Sequence, residues 1–336
     1  MKNEHNDTPP VMKFGMAIDL DKCTGCGACM VACMSENNIP FKEDESDKLV
    51  SITWMRIFKL SNGKSFPDTD ICYLPRPCQH CEGHGGHSPC VSVCPATATD
   101  YSRETGIVSQ IVTRCFGCRY CMGACPYHAR YFNWWDPVWP DGMEKYLSPN
   151  VSPRMRGVVE KCSFCFHRYQ LAKNKAYLDG ERRVPEAAYQ TACTQACPAG
   201  AIVFGDLNNP EHQVHQIVKP DPDNGNRSRN PRAFRLLERT GTNTKVYYLS
   251  NREWVRRAGD NYLARGSSST DDGSAHPEAQ LILMSTRALD LVADGDRSRW
   301  PLAGDQFIVD LDLSVDHLPV GTRLSIGTAV IEVAAK

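Results

Sequence analysis

Residues 115–126 read CFGCRYCMGACP: four cysteines separated by two, two and three residues, with a proline directly after the last. Two-residue gaps let one tight loop aim three sulfurs and several backbone N–H groups at a common centre. The three-residue gap then starts a helix that carries the fourth sulfur away. The same spacing occurs in residues 22–33, KCTGCGACMVAC. Two further runs keep its ends and stretch its middle: Cys78, Cys81, Cys90 and Cys94 have eight residues (EGHGGHSP) between the halves, and Cys162, Cys165, Cys193 and Cys197 have 27. Three of the four runs close on Cys-Pro, and together they use 16 of the 17 cysteines. A [4Fe–4S] cube takes four thiolates, so the count points to four clusters, with iron held by Cys23, Cys26, Cys29, Cys33 and the twelve cysteines of the other runs. Gly25, Gly27, Gly117 and Gly123 fall where backbone must pass close to inorganic sulfide.

Paired Cys-x2-Cys units are also the commonest zinc signature. Zinc has no need of a triplet at two-residue gaps followed by Cys-Pro, so iron–sulfur ligation is the expected chemistry. Disulfides fit poorly, because three thiols crowd into one loop and cysteine stays below the level of a disulfide scaffold. The formal net charge of −1 removes a whole-chain case for nucleic acid. No run of 18 apolar residues spans a bilayer. The first residues, MKNEHNDTPPVMK, carry neither a twin-arginine pair nor an apolar core, so no signal peptide is expected. No Walker loop or dinucleotide fingerprint occurs, and no catalytic residue set is visible. Electron transfer is the expectation. A soluble polyferredoxin shuttling electrons between enzymes and a zinc-bound assembly module are the alternatives.

The chain resembles the four-cluster electron-transfer subunits of molybdopterin oxidoreductases, the iron–sulfur subunits of DMSO, polysulfide and nitrate reductases and of formate dehydrogenase. The likeness covers roughly residues 13 to 205. It rests on GMAIDLDKCTGCGACMVAC, PRPCQHC, PCVSVCPATA, TRCFGCRYCMGACPYHARYFN and EKCSFCFHR. Among these relatives it looks closest to subunits working beside a polytopic quinone-interacting membrane subunit, including the alternative complex III type. The resemblance implies that the first run pairs with the fourth and the second with the third. One cluster would take Cys23, Cys26, Cys29 and Cys197; its neighbour Cys162, Cys165, Cys193 and Cys33. A third would take Cys78, Cys81, Cys90 and Cys125; the fourth Cys115, Cys118, Cys121 and Cys94. It also implies a molybdenum or tungsten pterin catalytic subunit as one partner and a quinone-linked membrane subunit as the other. The chain would then be peripheral on the inner membrane, on the cytoplasmic face, or on the periplasmic face after co-export with a signal-bearing partner. Some family members replace the second cysteine of the third run and hold a three-iron cluster. Here Cys118 stands there and favours a four-iron cube.

The fold expected is α+β: a duplicated bacterial-ferredoxin-like core with inserted loops over residues 1–205, plus a small β-rich C-terminal module. Strands are expected at KFGMAID, ITWMRIFKL, GIVSQIV and AIVFG, and a helix at FHRYQLAKNKAY. Residues 206–265, whose first half is rich in Asn, Pro, Asp and Arg, read as an extended arm that includes the short strand TKVYYLS. Residues 266–276, containing GSSSTDDGS, read as a flexible linker. Residues 277–336 read as strand then helix (AQLILMSTRALDLV), a strand (FIVDLDLS) and a hairpin (TRLSIGTAVIEVA). LPVGTRLSIGTAVIEV resembles part of a MOSC domain, but that chemistry needs a cysteine and none follows Cys197. Among the remaining residues, His84 and His87 are expected in a solvent-facing glycine-rich loop rather than as ligands. Cys72 is expected to be a buried structural thiol. Trp134, Trp135 and Trp139 form either a docking patch or a cap on the core. Arg168 either tunes a cluster by its charge or forms a salt bridge.

Overall fold

The computed structural model describes residues 11–40, 52–83, 87–181, 184–221, 223, 227–261 and, toward the C-terminus, 283–285, 307–309, 321–326 and 329–332. The strands are β1 (Phe14–Asp19), β2 (Arg56–Ser61), β3 (Ile71–Arg76), β4 (Thr99–Tyr101), β5 (Val108–Gln110), β6 (Tyr131–Phe132) and β7 (Val159–Glu160). They continue with β8 (Ile202–Asp206), β9 (Ala233–Phe234), β10 (Val246–Leu249), β11 (Leu283–Ser285), β12 (Phe307–Val309), β13 (Arg323–Ile326) and β14 (Ala329–Glu332). The helices are α1 (Ala28–Glu36), α2 (Pro89–Ser92), α3 (Tyr120–Gly123), α4 (Phe166–Leu178), α5 (Ala192–Gln195), α6 (Gln213–Val218) and α7 (Glu253–Asn261). All four strands and the helix expected before residue 206 have a counterpart here.

β1 is buried along its whole length, which is why FGMAID is not a strict alternation of apolar and polar residues. The main sheet runs β8-β1-β10-β9. β1 is antiparallel to β8, with Ile18 opposite Ile202, and parallel to β10, with Met16 opposite Val246. Phe14 packs edge-on against Tyr169 and Tyr189 (centroids 5.4 and 4.9 Å) and stacks on Phe204 at 5.7 Å. This aromatic cluster ties the sheet to α4 and to the loop before α5.

The short antiparallel ladders gather cysteines that lie far apart in sequence. β1 leads into the first run and β8 follows the last cysteine, so their pairing brings residues 20–23 beside residues 197–201; the Asp19 N–H donates to the Ala201 carbonyl at 2.8 Å. In the same way β4 follows Cys94, β5 precedes Cys115, and Thr99 pairs with Gln110. β6 follows Cys125, β7 precedes Cys162, and Tyr131 pairs with Glu160. The hairpin of β2 and β3 ends at Arg76, two residues before Cys78.

Residues 206–261 do not form the extended arm expected for 206–265. β10 is buried at all four positions inside the main sheet, and α6 packs on β1 and β8. Ala17, Leu207, Val214, Val218, Tyr247 and Leu249 make a separate apolar cluster there. The polar composition that suggested an arm belongs to the connection between α6 and β9. There Arg232 Nη2 reaches Asp19 at 3.1 and 3.2 Å and ties the connection to the end of β1. Val214 and Val218, four residues apart on one helical face, were diluted by their polar neighbours. The linker at 266–276 lies outside the described residues, as does most of 277–336. Of that last segment, β11 pairs with β12 in parallel and β13 with β14 antiparallel, Arg323 opposite Glu332.

Candidate iron–sulfur centres

Each three-residue gap places two cysteines on one helical turn: Cys29 and Cys33 on α1, Cys90 and Cys94 at α2, Cys121 and Cys125 at α3, Cys193 and Cys197 at α5. Side chains four apart share a face, separated by about one 5.4 Å pitch. They therefore reach two neighbouring centres instead of one. α1 packs against α5 and α2 against α3, so each pair of helices serves the same two centres from opposite sides.

The thiols fall into four sets. Set I lines a cavity with Cys23, Cys26, Cys29 and Cys197. Set II lines another with Cys33, Cys162, Cys165 and Cys193. Set III comprises Cys78, Cys81, Cys90 and Cys125; the charges of the other three act on Cys81. Set IV lines a third cavity with Cys94, Cys115, Cys118 and Cys121. The sets form a row. Cys29 lies near Cys33 and Cys193, joining I to II. Cys78 lies near Cys162, joining II to III. Cys90 lies near Cys121, joining III to IV.

The loops share a backbone device that only half of the residue types announce. Two positions after the first cysteine of every run stands a left-handed residue: Gly25 (φ 71°), His80 (45°), Gly117 (79°) and Phe164 (53°). At Gly25 a Cβ would lie 2.6 Å from the Tyr73 ring, and at Gly117 it would lie 2.2 Å from the Gly157 carbonyl oxygen. In the three runs closed by Cys-Pro, a second left-handed residue stands three positions after the last cysteine: Thr97, His128 and Gly200. These turns aim backbone N–H groups at sulfur. Ala98 and Thr99 donate to Cys94 Sγ at 3.2 and 3.4 Å, Ala201 to Cys197 at 3.3 Å, and Val159 to Cys115 at 3.4 Å. Side chains add to them: Thr191 Oγ1 lies 3.2 Å from Cys193 Sγ, and Asn37 Nδ2 sits 3.8 and 3.9 Å from Cys33 and Cys165.

The electrostatics describe thiols in need of a cation. Burial, reinforced by neighbouring thiols, pushes Cys29 and Cys162 up to about 12 and Cys125 up to about 11. Cys33, Cys81 and Cys193 are also held well above the ordinary thiol range, for the same reasons. Cys94 goes the other way: burial opposes its ionisation, but the N–H groups of Thr99, Ala98 and Ala96 outweigh it. Ligand thiols must deprotonate to bind, so the cost of burying them is met only by a strongly binding metal group. Among the described residues no three Cys, His, Asp or Glu side chains converge on the position of one ion. Thiols spread around a cavity, with N–H groups aimed at sulfur, are the donor set of an iron–sulfur cube.

The other singled-out residues lie as follows. His87 is exposed, and His84 lies outside the described residues. Cys72 is buried in β3; burial raises it to about 11, and it belongs to none of the four sets. Trp134 is 38% exposed and rests on Phe132 beside set IV, with Arg119 4.8 Å above its ring, while Trp135 and Trp139 are half-buried. Arg168 grips both oxygens of Glu36 at 2.6 and 2.7 Å, and His167 shares Glu36 Oε1 at 2.6 Å. Burial works against ionised Glu36, but Arg168 and His167 hold its carboxyl below the usual value of 4.5. This contribution to stability is present above the ordinary carboxylate range and is lost as pH falls through the depressed value. Glu36→Gln is accordingly expected to lower the thermal midpoint at pH 7 and to narrow the gap from the parent as pH falls below 4, checked by melting curves across pH 3–7. Three residues of the site had no role assigned from sequence: Asn37, Arg130 and Lys161.

Comparison with known proteins agrees with this chemistry. Two families, both described as "4Fe-4S dicluster domain", match residues 22–98 and 69–140. The iron–sulfur cluster-binding subunit of a menaquinone reductase from Nitratidesulfovibrio vulgaris is 60% identical over 256 residues, 75% of this chain and 94% of the relative. An iron–sulfur subunit of an Hdr-like menaquinol oxidoreductase from Archaeoglobus fulgidus is 38% identical, covering 70% and 82%. The iron–sulfur subunit of an arsenate respiratory reductase from a Shewanella species is 32% identical, covering 71% and 96%. With its cysteines gathered into these sets and relatives matched across nearly their full length, the chain belongs to the family of 4Fe–4S dicluster iron–sulfur subunits of molybdopterin-type reductases.

Proposed function

We propose that the chain is an electron-transfer subunit that relays electrons through four [4Fe–4S] clusters between a molybdopterin catalytic subunit and a quinone-linked membrane subunit. Set I (Cys23, Cys26, Cys29, Cys197), set II (Cys33, Cys162, Cys165, Cys193), set III (Cys78, Cys81, Cys90, Cys125) and set IV (Cys94, Cys115, Cys118, Cys121) would each hold one cube. One observation carries the reading. The two exposed cysteines of the chain are Cys26 in set I and Cys118 in set IV, the two ends of the row. A conductor needs access at its ends and insulation between them. The cubes supply the one-electron couples; the chain's residues hold them apart, exclude water and donate hydrogen bonds to sulfur, which sets potential.

No helix among the described residues is long and apolar enough to cross a membrane, so the membrane partner would be a separate chain and this one peripheral to it. The side of the membrane follows from the partners. The core reads as two ferredoxin-like halves, α1 with α5 and α2 with α3, and the segment after residue 276 as a β-rich appendage. Iron and acid-labile sulfide on anaerobically prepared protein are expected at about sixteen each per chain. About eight, or stoichiometric zinc, would sink the four-cube reading. Purification from native membranes is expected to bring down a pterin-bearing subunit and a multi-span protein. A soluble monomer at every salt concentration would favour the polyferredoxin instead.

A further inference from the structure

The buried cations near the thiols are distributed unevenly along the row. Beside set II, two partly buried cations are matched by carboxylates: Arg154 Nε lies 3.2 Å from Glu160 Oε2, and Arg168 is clamped by Glu36. Around set III the pattern changes. Lys161, whose charge acts on Cys90 of set III and on Cys162 of set II, is buried and gives its Nζ hydrogen bonds to the carbonyls of Val108 and Cys162. Lys245 is fully buried, its Nζ has no hydrogen-bond partner, and it faces a single carboxylate, Glu82, that Lys13 already holds at 2.6 Å.

Arg130 is the clearest case. It follows the turn after Cys125, directly before β6, and is 3% exposed. Its Nη2 donates to Thr99 Oγ1 at 2.7 Å and to Gln110 Oε1, two uncharged acceptors; its Nε and Nη1 find no oxygen acceptor. The charges that act on it are thiols of two sets, Cys90, Cys125 and Cys78 of set III and Cys121 of set IV. A buried guanidinium without a counter-charge is strongly unfavourable. An iron–sulfur cube with four thiolates is a net anion, and one on either side would supply the missing charge.

We propose that Arg130 sets the potentials of the clusters in sets III and IV: it is a buried guanidinium between the two thiol sets with no carboxylate partner, and its fixed positive charge favours the reduced state on that half of the row. The inference rests on reading the sets as clusters. The step it biases is a one-electron transfer from the cube of set II to that of set III; the first is oxidised, the second reduced, and no proton or bond moves. Arg130 touches no substrate; it acts as a positioning charge, through the field it exerts and through its hydrogen bonds to the thiols of Cys90 and Cys121.

The test uses the full chain loaded with clusters anaerobically, with midpoint potentials read by EPR-monitored redox titration and iron counted in the same samples. Arg130→Gln removes the charge. Gln110→Glu keeps the guanidinium and its hydrogen bond but gives it a carboxylate partner. Both are expected to lower one or two of the cluster midpoints, by about tenfold in the reduction constant or about 59 mV for a one-electron couple. The remaining midpoints are expected to stay in place, and Arg130→Lys is expected to restore most of the shift. If Arg130→Gln loses iron, Gln110→Glu decides alone. Unmoved midpoints in Gln110→Glu, or an equal fall in all four, would overturn the proposal. A parent protein with fewer than four cubes would overturn the reading of the thiol sets, a failure that the iron count identifies separately.

Discussion

A chain cut after Gly241 is expected to lose its fold and all bound iron, whereas one cut after Asn261 is expected to keep both. The first cut removes β10, the strand between β1 and β9. With it go Val246, Tyr247, Tyr248, Leu249 and Val255, each less than 5% exposed. Burying such side chains contributes about 1.5–3 kcal/mol apiece, roughly 8–15 kcal/mol together. That matches the whole net stability of an ordinary domain, about 5–15 kcal/mol. Hydrogen bonds go as well: Tyr248 Oη donates to the Pro75 carbonyl at 3.2 Å, and Lys245 N–H donates to the Gln79 carbonyl at 3.0 Å, on either side of Cys78. The second cut keeps this sheet intact and removes only residues beyond α7, which include no cysteine. Iron content and thermal melting of the two truncations decide the matter. Loss of a cluster's worth of iron from the longer chain would mean that the C-terminal segment completes or shields a site.

The second large effect is expected from one methyl group. On the four-cube reading, Gly117→Ala should strip set IV of its cluster, about four irons of sixteen, while Gly27→Ala should leave the count unchanged. Both glycines have positive φ, 79° and 82°, and for an L-residue that conformation costs about 1–2 kcal/mol. They differ in what surrounds them. Around Gly27 no protein atom lies within 4 Å of the added carbon, whereas at Gly117 it meets the Gly157 carbonyl oxygen at 2.2 Å. That oxygen is backbone and cannot swing aside. Relief requires residues 157–159 to move, and Val159 N–H is the donor to Cys115 Sγ. Gly27→Ala should therefore cost only the conformational term, while Gly117→Ala should displace a loop that shapes the cavity. EPR of the two variants, with iron analysis, separates the outcomes. Equal behaviour would show that the local clash does not govern the site.

How legible the site was in the sequence depended on how local its chemistry is. Cysteine spacing is a local constraint, because two- and three-residue gaps fix which sulfurs can share a loop or a helical turn, so all four runs could be read directly. Strands such as FGMAID were legible because burial on both faces leaves an apolar run. The left-handed residue of each run was legible only where it is glycine. His80 and Phe164 hold the same position, and what favours them there is a tertiary contact: their rings stack at 3.6 Å, between sets III and II. Arg130 stood out only as one letter of TRCFGCRYCMGACPYHARYFN, since its burial depends on β4, β5 and β6 coming together. The stretch after residue 205 misled for a related reason. VYYL is a short strand in isolation, and only the long-range pairing with β1 makes it central.

If the sets hold cubes as proposed, the helical turns that send neighbouring cysteines to different centres also dictate an order of maturation. Sets III and IV have all their thiols once residue 125 has been made, but set II waits for Cys193 and set I for Cys197. At about 5–20 residues per second, translation adds that stretch in roughly 4–14 seconds. Through that interval Cys23, Cys26, Cys29 and Cys33 belong to half-built sites, and the strand that braces them, β10, emerges later still. The half of the chain made first therefore contributes to the sites finished last. The thiols of the first run would have to be kept reduced and empty until the other half arrives. Oxidation or premature metal capture at the first run would then be the characteristic hazard in making this protein, and loading of sets I and II would follow synthesis of the core.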